Sequence, residues 1–359
     1  MSDLNYTLIA PATHAHPRND SASAIELADG RLFIAYMEFA GGALQGHDEA
    51  PNRIVAKESL DGGANWGTTR VLVEPEPGDV NVYNPSLLRL SDGEILFSYF
   101  HYLELEWGQP LFSSGYLCRS NDEAASFSPP ESIWQRQPYH SSNNALFQLP
   151  SDRILRPIGR VPIWGGAEDN QQAGCLYSDD RGQTWQGGES WIHLPLRGAM
   201  EGHVAPAPND RLLMALRTQL GSVFLSESRD QGQTWSRAQT SGLKSGESMP
   251  CLSAIPQTGD LLMVWNESEY DPSFDHFGRR SPLSCALSRD GGHSWENHKT
   301  IEDNPTWEFT NIACNFIKGD KVLITYLASP MEDPNPPGRL GRSAMSLQAA
   351  IASVDWFYA

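Results

Sequence analysis

The sequence predicts an all-β fold, a six-bladed β-propeller of four-stranded antiparallel blades, and three observations carry that expectation. Apolar runs are only four to six residues long and lie among 31 Gly, 25 Pro and 11 Trp, with no long capped stretch of helical period. A motif Ser-x-Asp-x-Gly-x-x-Trp recurs along the chain. A second repeat, a tight turn followed by an apolar strand, occurs six times.

The first motif stands at Ser59-Leu-Asp61-Gly-Gly63-Ala-Asn-Trp66, Ser178-Asp-Asp180-Arg-Gly182-Gln-Thr-Trp185, Ser228-Arg-Asp230-Gln-Gly232-Gln-Thr-Trp235 and Ser288-Arg-Asp290-Gly-Gly292-His-Ser-Trp295. A degraded copy, Ser120 to Phe127, keeps Ser120 and Asp122 but has Ala124 for Gly and Phe127 for Trp. The Asp can accept backbone N–H groups of a tight turn, the Gly supplies a positive φ, and the Trp packs on neighbouring strands. Successive copies begin 50 to 61 residues apart, the length of one four-stranded blade, and 359 residues hold about six such units.

The second repeat gives the same count: Asp29 to Tyr36, Asp92 to Tyr99, Asp152 to Arg156, Asp210 to Arg217, Gly259 to Trp265 and Gly319 to Tyr326. Tyr6 to Ile9 is expected to complete the last blade beside the C-terminal strands, closing the ring. Residues 1–359 read as a single propeller domain, with no linker.

Composition bounds the partners. A 40% hydrophobic content excludes wholesale disorder, and a net charge of −18, from 26 Lys+Arg against 44 Asp+Glu, disfavours nucleic acid and anionic membranes. The N-terminus has no basic or apolar signal region, so the chain as written is expected in the cytoplasm, or in the periplasm or outside the cell if an export signal has been removed. The five cysteines, Cys118, Cys175, Cys251, Cys285 and Cys314, show no paired spacing and read as buried free thiols. His14 and His16 lack a third ligand at usable spacing, and Asp179-Asp180 belongs to a turn, so neither metal nor cofactor is expected. Pro330 to Pro337 reads as a rigid loop between strands. Asn5-Tyr-Thr7 and Asn266-Glu-Ser268 match glycosylation acceptors.

Function must come from the residues that open the innermost strands, because these share one mouth on the propeller axis. The segments are His14 to Asp20, Asn81-Val-Tyr83-Asn84-Pro85, Tyr139-His140-Ser-Ser-Asn143-Asn144, Glu201-Gly-His203, Glu247-Ser248-Met249 and Trp307 to Asn311. All are polar. Polar groups gathered on an apolar scaffold form either a hydrated plug or a ligand site, and the presence of Arg, Glu and His together favours a site.

Ser-x-Asp-x-Gly-x-x-Trp is the Asp-box, and its recurrence resembles the sialidase (neuraminidase) superfamily over essentially the whole chain. The resemblance implies three arginines on a substrate carboxylate, a task suited to bidentate guanidinium groups. Arg18, Arg217 and Arg280 match them, with Arg279 a possible substitute. It also implies a general acid/base on a loop upstream of the first Asp-box, where Asp48 stands, and a Glu about one hairpin before the second arginine, where Glu201 stands. The family nucleophile is a tyrosine at the start of the last blade, but this chain has Glu308-Phe309-Thr310-Asn311, and Phe309 has no hydroxyl. Tyr83, Tyr139 or Thr310 could fill the role, or Glu201 could activate water directly.

Three functions compete. The first is a sialidase-like exo-glycosidase releasing a terminal acidic sugar from a glycan, with Arg18, Arg217 and Arg280 on the carboxylate and Asp48 and Glu201 catalytic. The second is a lyase acting on a uronic acid, with Tyr139 or His140 removing the C5 proton. The third is a glycan-binding propeller without catalysis. Tyr83, Tyr139 and His140 are candidate substrate contacts in the first two.

Overall fold

The computed structural model describes residues 4–42, 47–331 and 344–359. Six antiparallel sheets succeed one another along the chain, each with its first strand innermost. Blade 1 runs Arg18–Glu26, Leu32–Phe39, Asn52–Ser59 and Arg70–Val73, and blade 2 runs Asn81–Arg89, Ile95–Glu104, Phe112–Ser120 and Glu131–Gln137. In blade 3 the inner position is divided between Tyr139–His140 and Phe147–Gln148, followed by Ile154–Arg160, Gln172–Ser178 and Gln186–Gly187. Blade 4 comprises Met200–Ala207, Arg211–Arg217, Ser222–Ser228 and Gln239–Lys244, and blade 5 comprises Cys251–Ala254, Leu261–Asn266, Leu283–Ser288 and Glu296–Glu302. Blade 6 takes Trp307–Ile317, Lys321–Pro330 and Ser346–Ser353 from the end of the chain and Asn5–Ala10 from its beginning, with Asn5 opposite Ile351 and Leu8 opposite Gln348. The N-terminal strand therefore closes the ring, as the sequence predicts. Among the described residues no helix is long and apolar enough to cross a membrane.

Each Asp-box makes the same turn. In the third blade the Ser178 hydroxyl donates to Asp180 Oδ1 at 2.7 Å and accepts the Gly182 N–H at 2.7 Å, while Asp180 accepts the Thr184 N–H at 2.8 Å. The serine, which the sequence reading left without a task, is thus the hinge of the network. Glycine is needed for two reasons. Its φ is positive, +85° at Gly182, and a Cβ there would lie 2.7 Å from Leu117 of blade 2. Equivalent Cβ atoms at Gly63, Gly232 and Gly292 would meet Ile351, Leu155 and Leu213, so four boxes seat their backbone on the preceding blade. The degraded copy keeps the turn with Ala124 at φ +60°, its N–H on Ser120 at 3.0 Å, and Phe127 packing on Phe33 and Phe97.

The inner strands hold the feature that aims the site. The register of blades 1, 2, 4 and 6 shifts at Asp20/Ser23, Tyr83/Ser86, Met200/His203 and Thr310/Ala313. At each shift one residue adopts positive φ: Ser21, Asn84, Glu201 and Asn311, joined by Asn144 in blade 3. Such bulges turn successive side chains out of strict alternation, so charged groups reach the axis from strands whose other faces are apolar. Below them the Ser23 hydroxyl donates to Asn144, which also accepts from Asn315, closing the axis with hydrogen bonds.

One reading is corrected here, and another falls largely outside the described residues. Asn266 is fully buried and donates to the Arg280 carbonyl at 2.8 Å, so it is no glycan acceptor in the folded chain. Pro330 ends a strand, and the rest of the proline-rich stretch from 332 onward lies outside the described residues.

Candidate functional site

Two ion-pair clusters face the mouth. In the first, Arg18 donates from Nε and Nη2 to Asp20 Oδ2 at 2.9 and 2.6 Å and from Nη1 to Asp48 Oδ1 at 2.8 Å. The Tyr83 hydroxyl donates to the same Asp48 oxygen at 3.1 Å, and Asn81 Nδ2 fixes the Asp48 carbonyl at 2.6 Å. Asp20 is held from the far side by Asn311 Nδ2, at 2.7 and 2.8 Å from its two oxygens. The Asp48 side chain is 45% exposed, and although partial desolvation works against its carboxylate, the Arg18 charge and hydrogen bond outweigh it and hold the carboxyl below its ordinary value.

The second cluster centres on Glu247 at the start of blade 5. Arg217 donates to Glu201 Oε2 and to Glu247 Oε1, each at 2.8 Å, and Arg197 donates to Glu247 at 2.5 Å and to Asp169 at 2.7 Å. Gln219 takes the other Glu247 oxygen at 2.8 Å, and His276 Nδ1 lies 3.4 Å from Arg217 Nη2. Burial raises the Glu201 and Glu247 carboxyls, yet Arg217 overrides it in both, so each is held as carboxylate. The clusters are neighbours: His276 adds to the lowering of Asp48, and Tyr102 lies within electrostatic reach of both Asp48 and Glu201.

Arg280 differs from the other guanidinium groups. Its backbone N–H donates to Glu308 Oε2 at 2.5 Å, but among the described residues its side chain makes a single long hydrogen bond, 3.5 Å to the Glu247 carbonyl. Its Nε is buried with no hydrogen-bond partner among the described residues. Burial, and then the nearby Arg217 charge, lower its pKa, and Glu201 lies within electrostatic reach. It is a guanidinium with donors to spare.

The sequence-derived residues fall into place unequally. Arg18, Asp48 and Tyr83 meet in one cluster, and Glu201 and Arg217 in the other. His140 lies close enough to Glu201 and Arg217 to feel their charge, though burial first lowers its pKa. Tyr139 does not join them: its ring packs between Trp134 and Trp191, with centroids 6.2 and 5.7 Å away. Arg279 turns outward, over Phe274 and onto the Pro305 carbonyl. Phe309, which the sequence reading set against the family's tyrosine, is 2% exposed and packs on Tyr326 in the core of blade 6. Sequence reasoning missed Arg197, Asp169 and His276. Among the described residues no three His, Cys, Asp or Glu side chains are grouped to hold a metal ion.

A cavity of about 750 Å³ also opens on the axis, but its lining, including Leu87, Asn144, His203, Leu252 and Cys314, comes from farther along the inner strands. It lies toward the opposite end from the charged mouth, where the ion-paired carboxylates and guanidinium groups are.

The comparisons with known proteins identify the fold. A protein of unknown function from Dyadobacter fermentans DSM 18053 superimposes with a TM-score of 0.73 at 16% identity, over 98% of this chain and 100% of that one. The K499G mutant of NanB sialidase from Streptococcus pneumoniae gives 0.71 at 11% identity, over 96% and 70% of the two chains. Trypanosoma rangeli sialidase in complex with sialic acid gives 0.73 at 12% identity, over 100% and 60%. At such identities the likeness establishes the fold, a sialidase-type propeller. No curated protein sequence matches the chain. The family model described as a BNR repeat-like domain matches residues 30–311, which take in all five Asp-box turns and both clusters apart from Arg18 and Asp20, and the chain belongs to that family.

Proposed function

We propose that this protein is a sialidase-like exo-glycosidase that releases a terminal acidic sugar. The observation that carries the reading is Arg280, whose buried guanidinium has unfilled donors beside Arg217 and Glu201. A substrate carboxylate supplies the planar acceptor such a group lacks. Arg217 is already bonded to Glu201 and Glu247, and Arg18 to Asp20 and Asp48, so neither is a vacant clamp.

Breaking the Arg18–Asp48 pair lets Asp48 take up a proton from solvent and become the acid. In the free protein Asp48 is ionised because Arg18 holds it so. A substrate carboxylate reaching Arg18 competes for that guanidinium; Asp48 then loses its stabilising partner, its pKa rises, and it can protonate the leaving oxygen. Glu201, kept ionised by Arg217, serves as base. With Phe309 in the core, and with burial and Asp48 raising the Tyr83 phenol well above its ordinary value, the route is a single displacement by water that Glu201 activates. The Tyr139 ring packs against Trp134 and Trp191, which favours this reading over a lyase that uses Tyr139 as base.

Incubation with sialosides and with uronic-acid oligosaccharides tests this. The reading expects free acidic sugar with inverted anomeric configuration in the first NMR spectra; absorbance from a new C4–C5 double bond, or no product, overturns it.

A further inference from the structure

Arg280, Asp48 and Glu201 act on the acidic sugar, and the group from which that sugar is released also needs a seat. In each blade the connection from the second strand to the third opens on the mouth. Asp48 lies in that connection of blade 1, between Phe39 and Asn52, and His276 in that of blade 5, between Asn266 and Leu283. The same connection of blade 2, between Glu104 and Phe112, carries Trp107, which is 69% exposed. Among the described residues the other exposed large aromatic on such a connection is Tyr270, and the ring of Phe277 stacks on it.

Trp107 is held in place. Its ring lies on the backbone of blade 3 at Gly165, where a Cβ would come within 2.3 Å of the six-membered ring, and its Nε1 lies near Gly166. Both glycines have positive φ, +71° and +78°. The main chain clamps the two connections together, with the Gly108 N–H donating to the Trp164 carbonyl at 2.7 Å and the Trp164 N–H to the Gln109 carbonyl at 2.8 Å. The seat is also tied to the second charged cluster. Gly165 N–H donates to Asp169 Oδ2 at 3.1 Å, and Arg197 donates to the same oxygen at 2.7 Å and to Glu247 at 2.5 Å. One face of the indole thus rests on glycine backbone, and the other is open to solvent.

We propose that Trp107 is the platform for the sugar on the leaving side, a neutral pyranose that stacks its apolar face on the open face of the indole; this rests on the hydrolase reading. The acid gives the direction. Asp48 is held by blade 2, through the Tyr83 hydroxyl at 3.1 Å and Asn81 Nδ2 at 2.6 Å, and Tyr102, on the strand that leads to Trp107, meets the Tyr83 ring at 4.9 Å. A group leaving from Asp48 toward solvent therefore passes along blade 2. The axial C–H groups of a galactose-type ring form a flat apolar face, and an indole meets it with a large rigid surface at small entropy cost. A neutral ring is favoured over a second acidic one because Glu106 and Glu168 are exposed on the same two connections and repel a further carboxylate.

The test compares sialyllactose, which presents galactose on the leaving side, with methyl α-sialoside, whose leaving group is too small to reach the ring. In Trp107→Ala the ratio of kcat/KM for sialyllactose to that for the methyl glycoside is expected to fall about tenfold, chiefly through KM, and Trp107→Phe should recover most of it. Gly165→Ala, which pushes the ring off its seat, should lower the same ratio, whereas Gly166→Ala, with similar backbone strain but its Cβ no nearer than 3.9 Å to the ring, should not. A ratio within about twofold of the parent's in Trp107→Ala overturns the platform and leaves the hydrolase reading standing. A parent protein that releases acidic sugar from neither substrate overturns that reading, and the platform with it.

Discussion

Replacing Arg280 with methionine separates substrate binding from folding, because this guanidinium carries little of the internal pairing. Its side chain gives up one long bond to a carbonyl, whereas the backbone N–H that serves Glu308 remains. Arg217→Met would instead strip Glu201 and Glu247 of a shared partner, at a cost to stability of about 3–5 kcal/mol, and would confound any rate measurement. If Arg280 gives the substrate carboxylate two charged hydrogen bonds at about 1.5–3 kcal/mol each, the loss is about 3–6 kcal/mol. That corresponds to a fall of roughly 10²–10⁴ in kcat/KM. The assay is release of acidic sugar from a sialoside, with urea unfolding of the same preparation as the control for the fold. A folded Arg280→Met protein that keeps kcat/KM within about threefold of the parent refutes the role assigned to this arginine.

Three further outcomes are expected. Asp48→Asn should lower kcat by about 10²–10⁴ on natural glycosides, much less on aryl glycosides whose leaving groups need no proton, and should remove the limb on which kcat falls with rising pH. Because the free protein holds the Asp48 carboxyl below its ordinary value, the Arg18 pair stabilises the fold at neutral pH and is lost as pH falls through that lowered pKa; chemical denaturation across pH checks the sign. Gly182→Ala should destabilise by about 2–4 kcal/mol, through a positive φ and a Cβ against Leu117, whereas Gly93→Ala, with open space around it, should cost only the backbone strain of about 1–2 kcal/mol; paired urea titrations distinguish them. Arg156 is 0% exposed with no hydrogen-bond partner among the described residues, and burial lowers its pKa to about 9, so Arg156→Met should leave stability unchanged or raise it by up to about 4 kcal/mol; a loss above 2 kcal/mol on thermal unfolding contradicts that.

The fold was legible because its signals are local. An Asp-box needs eight consecutive residues to make its turn, and the same eight determine how the box glycine sits on the preceding blade. Closure by Asn5–Ala10 was likewise legible, since an apolar strand left over at the start needs a sheet edge to satisfy its backbone. The site was legible only in part. Arg18, Asp48, Glu201 and Arg217 were picked out through the resemblance to the sialidase superfamily, and the structure brings them into two neighbouring clusters. Which charge binds which depends on bulges at Ser21 and Glu201, and register shifts of this kind leave little trace in hydrophobic alternation. Arg197 and Asp169 come from connections between strands. His276 reaches the mouth only because the segment between Asn266 and Leu283 folds back with His276 at φ +65°, and no spacing in the sequence announces that. Phe309 shows the opposite limit: its position matched the family's tyrosine, but only packing against Tyr326 showed that the side chain leaves the mouth altogether.

The most direct measurement is calorimetric titration of the protein with N-acetylneuraminic acid and, separately, with its methyl ester, which keeps the ring and its hydroxyls but removes the charge. Recognition of a carboxylate by unfilled guanidinium donors predicts that the acid binds at least about tenfold more tightly than the ester. Equal affinities, or no binding of the acid by folded protein, would contradict it.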